Sequence, residues 1–320
     1  MIKKQELTVF LLLAAMTSAS AQTYPAKSVR IIVPFAAGGN TDFTARTIAA
    51  KLTENLGQQF VVDNRPGGST NIGSDMIVKS QPDGYNILLG GAANAINVAV
   101  LAKNPFDLVR DLMPVVLCVK GANVLSIHPS LPVKNLKELI ALAKSKPAQL
   151  NFGTAGMASS NHMAGELFMH MAGVKLNHVP YKGNAPALTD LIGGHVEMII
   201  SGVPALVPHI KSGRIRSVAI GSLKRFPAIP EVPTFDEQGL KGFEASTWFG
   251  FMAPVKTPRD IIVKLHTETS RILASKEIRE RYQVEGLEPQ NISTDDFAKF
   301  IRSEIDLYTK LAKVANLPKL

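Results

Sequence analysis

Apolar residues follow two alternating rhythms along the chain. Short runs of β-branched and aliphatic residues recur at 30–34, 60–62, 86–90, 115–119, 124–128, 150–153, 196–200, 216–221 and 249–253. The segments between them carry the three-to-four-residue spacing of amphipathic helices. Nearly continuous apolar strands separated by helices predict parallel sheets covered on both faces, so the fold class is α/β, doubly wound. No repeat of 20–50 residues is visible, so a solenoid is not indicated. Several helix starts are legible. Thr257-Pro258-Arg259-Asp260 offers a Thr cap with Pro at the first helical position, and Asn135 with Glu138 does the same ahead of Leu136. From Ser293 onward, Phe297, Phe300, Ile301, Ile305 and Tyr308 share one helical face.

The first 21 residues follow a different logic. Lys3 and Lys4 precede a ten-residue apolar run at 7–16 broken by one Thr, and Ala19-Ser20-Ala21 has the small-x-small form of a cleavage site. This predicts a secretory signal peptide cleaved after Ala21, with Gln22 starting the mature chain. The apolar run is half of the roughly 20 residues a bilayer span needs. Gln22 is also not the cysteine of a lipid-anchored lipoprotein. The expected location is therefore extracytoplasmic.

Composition narrows the function classes. With 320 residues, 46% of them hydrophobic, and Cys118 as the single cysteine, neither a disordered chain nor a disulfide-stapled mini-protein fits. The length argues for two domains. The formal net charge is +9, or +8 without Lys3, Lys4 and Glu6. The basic residues are scattered in ones and twos, as at Lys144 and Lys146 or Arg214 and Arg216, and form no stripe interleaved with aromatics. Nucleic acid is thus not the expected partner, while a mild positive potential attracts a small anion.

Two strand-to-helix turns carry the candidate chemistry. In the first, Ile31-Ile32-Val33-Pro34 runs into Phe35-Ala36-Ala37-Gly38-Gly39-Asn40-Thr41-Asp42; in the second, Leu150-Asn151-Phe152-Gly153 runs into Thr154-Ala155-Gly156-Met157-Ala158-Ser159-Ser160. Both pair small residues, which let a ligand approach the backbone, with a hydroxyl at the helix start. The unpaired N–H groups and the positive end of the helix dipole there favour an anion, so two such turns facing each other would clamp a carboxylate. Neither turn is a nucleotide fingerprint. A serine hydrolase built from Ser159, His162 and Asp42 is the enzymatic alternative, although the chain lacks a G-x-S-x-G elbow and Ser159 reads equally as a helix cap. His162, Glu166 and His170 share a helical stripe, but its outer members stand ~12 Å apart by helix rise, too far for one metal ion. Cys118 reads as a small core residue.

The residues resemble those of a known family, the extracytoplasmic solute receptors of the tripartite tricarboxylate transporter family, or Bug receptors. The matching stretches are Val33 through Asp42, Asn64-Arg65-Pro66-Gly67-Gly68, Pro82-Asp83-Gly84-Tyr85, Gly156 through His162, His178-Val179-Pro180-Tyr181-Lys182-Gly183, Pro208 through Gly213, Val232-Pro233-Thr234 and Trp248-Phe249-Gly250. They are ordered along the whole mature chain. Asn40 and Ser201-Gly202-Val203-Pro204 depart from the family's usual pattern.

The resemblance implies a monomeric periplasmic binding protein of the type II-like fold, with no cofactor, metal or turnover. It places domain 1 at 22–122 and 249–320 and domain 2 at 123–248, joined by two crossings near 120–124 and 247–250, with the ligand cleft between them. It assigns the carboxylate to the two loops, with Phe35, Ala37, Gly38, Gly39 and Thr41 on one side and Gly156, Ser159 and Ser160 on the other. Asp42 would shape the first loop, and the segment from Gly91 through Ala92 to Asn94, with Tyr181, Ser201 and Trp248, would form the variable pocket wall. Partners would be a small carboxylate and the membrane subunits of a tripartite transporter, or a signalling protein if the receptor acts as a sensor.

Overall fold

The first strand, β1 (Val29–Val33), sets the pattern of the molecule. Val29, Ile31 and Val33 join one apolar layer and Ile32 joins another, the period-two alternation of a strand buried on both faces. The structure, a computed structural model, describes residues 24–314 together with Leu317 and Lys319. The expected signal peptide and its cleavage site lie outside the described residues.

In chain order β1 is followed by α1 (Asn40–Leu56), β2 (Phe60–Asn64), α2 (Asn71–Val78), β3 (Asn86–Gly91), α3 (Ala92–Val100), α4 (Leu108–Asp111) and β4 (Leu112–Ile127). Next come α5 (Leu136–Ser145), β5 (Asn151–Thr154), α6 (Ser160–Ala172), β6 (Asn177–Pro180), α7 (Asn184–Ile192), β7 (Met198–Gly202), α8 (Val203–Lys211) and β8 (Arg216–Ile220). The chain ends with β9 (Ser246–Pro254), α9 (Arg259–Ala274), α10 (Lys276–Val284), β10 (Leu287–Pro289) and α11 (Thr294–Val314). The strands lie in the order β2-β1-β3-β9-β4-β7-β5-β6, with β8 and β10 also on β4. β1 is parallel to β2 and β3, β5 is parallel to β6 and β7, and β9 runs antiparallel to both β3 and β4.

Strand β4 belongs to two lobes. Leu112 to Ala122 pair with β9, whereas Asn123 to Ile127 pair with β7. Helices cover both faces of each lobe. In the first, Ile48 and Leu52 of α1 and Leu265 of α9 meet Val29 and Ile31, while Ile96 of α3 and Phe297 of α11 meet Ile32 and Leu88 on the other face. In the second, Leu139 of α5 and Phe168 of α6 meet Leu125 and Phe152, while Leu191 of α7 and Leu206 of α8 meet Val124 and Ile199. This is the doubly wound arrangement in both lobes.

The structure revises several local expectations. The runs at 115–119 and 124–128 form one strand, because Lys120-Gly121 stays extended opposite Trp248 and Thr247 and makes no turn. Register shifts at Pro114/Val116 and Leu117/Val119 put Val115 and Val116, and again Cys118 and Val119, in the same apolar layer, a break in alternation that bulges produce. β6 and β10 were not apparent from hydropathy. Asn135 caps α5 through the Glu138 N–H (2.9 Å), but Thr257 turns its hydroxyl back onto the Pro254 carbonyl (2.8 Å) and Pro258 occupies the cap position of α9.

Candidate ligand-binding site

Parallel strands deliver their chain to helices at their carboxyl ends, and in this molecule those ends face one another. β1 leads into α1, β3 into α3, β5 into α6 and β6 into α7. Crevices outside the carboxyl ends of strands are where α/β sheets place ligands. Here Gly39 and Thr41 of the α1 start, Gly91 and Ala92 of the α3 start, Ser159 and Ser160 of the α6 start, and Asn184 of α7 line one small cavity of about 20 Å³. Two helix N-termini come from each lobe. The starts of α1, α3 and α7 follow glycine and carry no side-chain cap, so their first-turn N–H groups remain for a ligand.

None of the residues lining this inner cavity is charged. An anion bound there would be held by backbone N–H groups, hydroxyls and aligned helix dipoles. Asn184 Oδ1 is buried there without a protein hydrogen-bond partner. A wider outer cavity of about 310 Å³ shares Phe35, Ala93, Ala155 and Ser159 with the inner one and adds Gly156, Tyr181, Lys182 and the loop 67–70. A compact inner niche beside a roomier chamber suits a small acid whose body extends beyond its carboxylate.

The first loop is fixed by Asp42. Its Oδ2 accepts from the Gly38 N–H (2.9 Å), and Arg46 Nε lies 3.0 Å away. Burial alone would raise this carboxyl, but hydrogen bonds from Arg46, the Gly38 N–H and Asn64, together with the Arg46 charge, hold it below the usual carboxylate range. Ala36 donates to the Lys182 carbonyl of the other lobe (2.9 Å), so the first loop is bonded across the cleft to the turn that precedes α7.

The second loop is held from behind. Ser159 Oγ accepts from the His162 N–H (3.1 Å) as the cap of α6 and donates to the Gly156 carbonyl (2.7 Å). Gly156 sits at φ +135°, with the Tyr181 carbonyl 2.9 Å from where a Cβ would stand, so both conformation and space require glycine. His162 Nδ1 accepts from the Ala158 N–H (3.2 Å), and its Nε2 faces Glu166 Oε1 at 3.3 Å. His178 stacks on His162 at 4.1 Å between centroids and bonds Thr154 Oγ1 through Nε2 at 2.6 Å. Burial, and then the neighbouring His162, push His178 down to about 3. In this arrangement the Ser159 hydroxyl proton goes to a backbone carbonyl and the His162 ring serves the loop. That geometry gives no nucleophile–base pair for the hydrolase alternative. Among the described residues no group of three His, Cys, Asp or Glu side chains is placed to hold a metal ion.

The expected site residues divide into two groups. Phe35, Gly39, Thr41, Ala92, Ser159 and Ser160 line the inner cavity, and Gly156 and Tyr181 line the outer one. Ala37, Gly38, Asp42, Asn94, Ser201 and Trp248 line neither cavity. The Gly38 N–H is spent on Asp42. Asn94 accepts from the Gly91 N–H (2.9 Å) and donates to Ser74 Oγ (2.8 Å), tying α3 to α2. Ser201 is buried within β7 with its hydroxyl toward the Gly202 carbonyl. Trp248 falls on the other face of β9 from its neighbours Thr247 and Phe249, which line the cavity; it packs edge-on to Phe297 and Phe300 and donates to Glu304 Oε2 (2.7 Å). Tyr181 commits its hydroxyl to Asp190 (2.6 Å) and offers its ring to the outer chamber. Asn161 and Phe249, which lie in the stretches Gly156 through His162 and Trp248-Phe249-Gly250, also join the inner wall, as do Asn184 and Thr247, which no motif marks, although Gly183 with Pro186 two residues into α7 is a helix-start signal.

Known proteins place this geometry. The family model described as "Tripartite tricarboxylate transporter family receptor" matches residues 44–317. Protein BugT of Bordetella pertussis is 38% identical over 296 residues, covering 92% of this chain and 91% of BugT. The structure of R. palustris Rpa4515 with adipate superposes with a TM-score of 0.90 at 38% identity, covering 93% of this chain and 100% of that one. MatC from Rhodopseudomonas palustris with bound malate gives 0.86 at 29% identity, covering 90% and 99%. The chain therefore belongs to the receptor family of the tripartite tricarboxylate transporters, the family of the Bug receptors.

Proposed function

We propose that this protein is a periplasmic receptor that captures a small carboxylate between its lobes, closes on it, and delivers it to the membrane subunits of a tripartite tricarboxylate-type transporter. The observation that carries this reading is the meeting of four helix N-termini, two from each lobe, around one uncharged cavity. The relatives with adipate and with malate support an acid of that size. Hydrogen bonds to a charged group contribute roughly 1.5–3 kcal/mol each, so four or five N–H donors approach the ~8 kcal/mol of a micromolar complex after ordering costs. We assign domain 1 to 22–122 and 249–320 and domain 2 to 123–248. The change of β4's partners between Ala122 and Asn123 and the return of the chain at Ser246 support that division. Asn123 ties both crossings to the site: its Nδ2 lies 3.4 Å from the Ser160 and Ser246 carbonyls and its Oδ1 accepts from Asn161 (2.7 Å). Periplasmic location fits the expected signal peptide, and no helix of the described residues is long and apolar enough to cross a membrane.

The test is a thermal-shift screen of the unfolded and refolded mature protein against di- and tricarboxylates, hydroxy acids, amino acids and aromatic acids. Mass spectrometry of the bound compound follows. At 100 times its dissociation constant a ligand stabilises by about 2.7 kcal/mol, a shift of roughly 4 °C. A stabilising acid recovered intact supports the receptor; silence across the panel sinks the carboxylate assignment; a chemically altered compound points to turnover.

A further inference from the structure

Asn40 opens α1 with 2% of its surface exposed, yet its acceptor serves another helix. Its Oδ1 accepts from the backbone N–H of Ala205, 3.3 Å away in the first turn of α8 on the opposite lobe. That helix lacks a cap of its own: it follows Gly202, which has no side chain, and its second residue, Pro204, has no N–H. Ala205 is the third helical residue, and its N–H is one that an N-cap side chain ordinarily satisfies. Asn40 thus supplies across the cleft what Gly202 cannot supply from within the chain.

Gly202 complements Asn40 in shape. Its φ of −74° is open to any residue, so backbone freedom is not the reason for a glycine. A Cβ at this position would stand 2.1 Å from Asn40 Nδ2 and 2.9 Å from Asn40 Cγ, so the amide occupies the space that a side chain would need. The start of α8 is buried against the first lobe elsewhere too, since a Cβ on Gly286 would meet Val203 at 2.6 Å.

We propose that Asn40 is the N-cap of α8 in trans, a positioning residue that stabilises the closed arrangement of the lobes, with Gly202 as its receptacle. This rests on the receptor reading, because the bond exists only while the lobes are together. It also ties Asn40 to affinity: a receptor that is closed more of the time binds more tightly by that fraction. Asn40 lines the inner cavity as well, so the residue that latches the lobes also forms part of the wall the ligand meets.

The experiment is a double-mutant cycle on the full mature chain with Asn40→Ala, Gly202→Ala and the pair. Nitroxides are attached at Lys137→Cys on α5 and Lys264→Cys on α9, both exposed, while the native Cys118 is fully buried and escapes labelling. Electron–electron distance distributions are recorded without ligand and again with adipate as the probe. Asn40→Ala is expected to lower the closed-to-open ratio about fivefold, the usual effect of losing one cap. Gly202→Ala lowers it at least as much by evicting the amide, and the pair is no worse than Gly202→Ala alone, because both changes remove one interaction. Asn40→Asp, which keeps the acceptor, retains the closed distance. Independent, additive effects overturn the proposal, as do single variants indistinguishable from wild type or an unliganded wild type with no closed population. Failure of adipate to bind any variant counts against that ligand and leaves the ligand-free distances to decide on the latch.

Discussion

Removing the Ser159 hydroxyl separates a loop-building role from a ligand-binding one. The hydroxyl is 97% buried by residue exposure and saturated by the protein, accepting from the His162 N–H at 3.1 Å and donating to the Gly156 carbonyl at 2.7 Å. Ser159→Ala forfeits an N-cap, typically ~1 kcal/mol, and a second hydrogen bond of roughly 0.5–1 kcal/mol. The Gly156 carbonyl keeps the Ser159 N–H at 3.2 Å and the Thr154 hydroxyl at 3.3 Å, so only the His162 N–H is orphaned. The expected loss is about 1.5–2 kcal/mol, or about 2–4 °C in Tm for a chain of this size. Affinity for a stabilising acid should fall by less than about tenfold, because the Ser160 and Asn161 N–H groups remain in place around a looser loop. Calorimetric unfolding paired with isothermal titration reads both quantities, and Ser159→Thr, which retains a cap, should recover most of the stability. An unchanged Tm with a hundredfold loss of affinity would refute the reasoning, since it would make the hydroxyl a direct ligand group and not a scaffold of the loop.

Three further outcomes follow from the geometry. Gly91→Ala places a Cβ 2.5 Å from the Trp248 carbonyl, and since φ is −169° the cost is purely steric; a lowered urea midpoint, by roughly 1–3 kcal/mol, is expected together with weaker acid binding. Burial raises the Glu304 carboxyl, with the Trp248 hydrogen bond and the Lys120 charge opposing, so this group takes up protons on folding and its contribution to stability falls as pH rises above the ordinary carboxylate range. Glu304→Gln, still able to accept from Trp248, should therefore raise Tm at pH 8 and leave it unchanged near pH 4; an equal shift at both would exclude the assignment. His178, pushed down to about 3 chiefly by burial, has the opposite sign: the unfolded chain binds its proton first, so stability declines as pH falls from about 6.5 toward 3. His178→Phe keeps a ring against Phe152 and His162 and should flatten that part of the pH–stability curve, which proton-coupled urea unfolding would detect.

Much of the frame was legible because buried strands announce themselves. Ile31-Ile32-Val33, Ile87-Leu88-Leu89 and Ile199-Ile200 are apolar on both sides and sit where hydropathy placed them. The continuity of β4 was not legible, since Lys120-Gly121 reads as a turn until the register with Trp248 and Thr247 is known. β6 is polar, with Asn177 and Pro180 exposed, because it is an edge strand supported on one side only. The two strand-to-helix loops were visible through their glycines and hydroxyls, whereas Gly183 and Pro186 mark the α7 start as a helix start without saying that Asn184 faces the cavity. The resemblance implied Trp248 for the pocket wall, but a motif does not say which face of a strand a residue takes, and one step along β9 turns it into the layer of Phe297. Asn40 and Gly202 each looked like an isolated departure; 162 positions apart in sequence, they share one contact.

An anchoring site made of main-chain dipoles has an evolutionary consequence. A receptor that grips its ligand with arginine can lose that grip through one codon, whereas peptide N–H groups survive nearly every substitution that preserves the turn. On the proposed reading, side chains around the cleft such as Tyr181 and Phe249 can change while the N–H groups that would hold an acid group stay in place. Such an arrangement allows a lineage to diversify its diet without passing through a form that binds nothing.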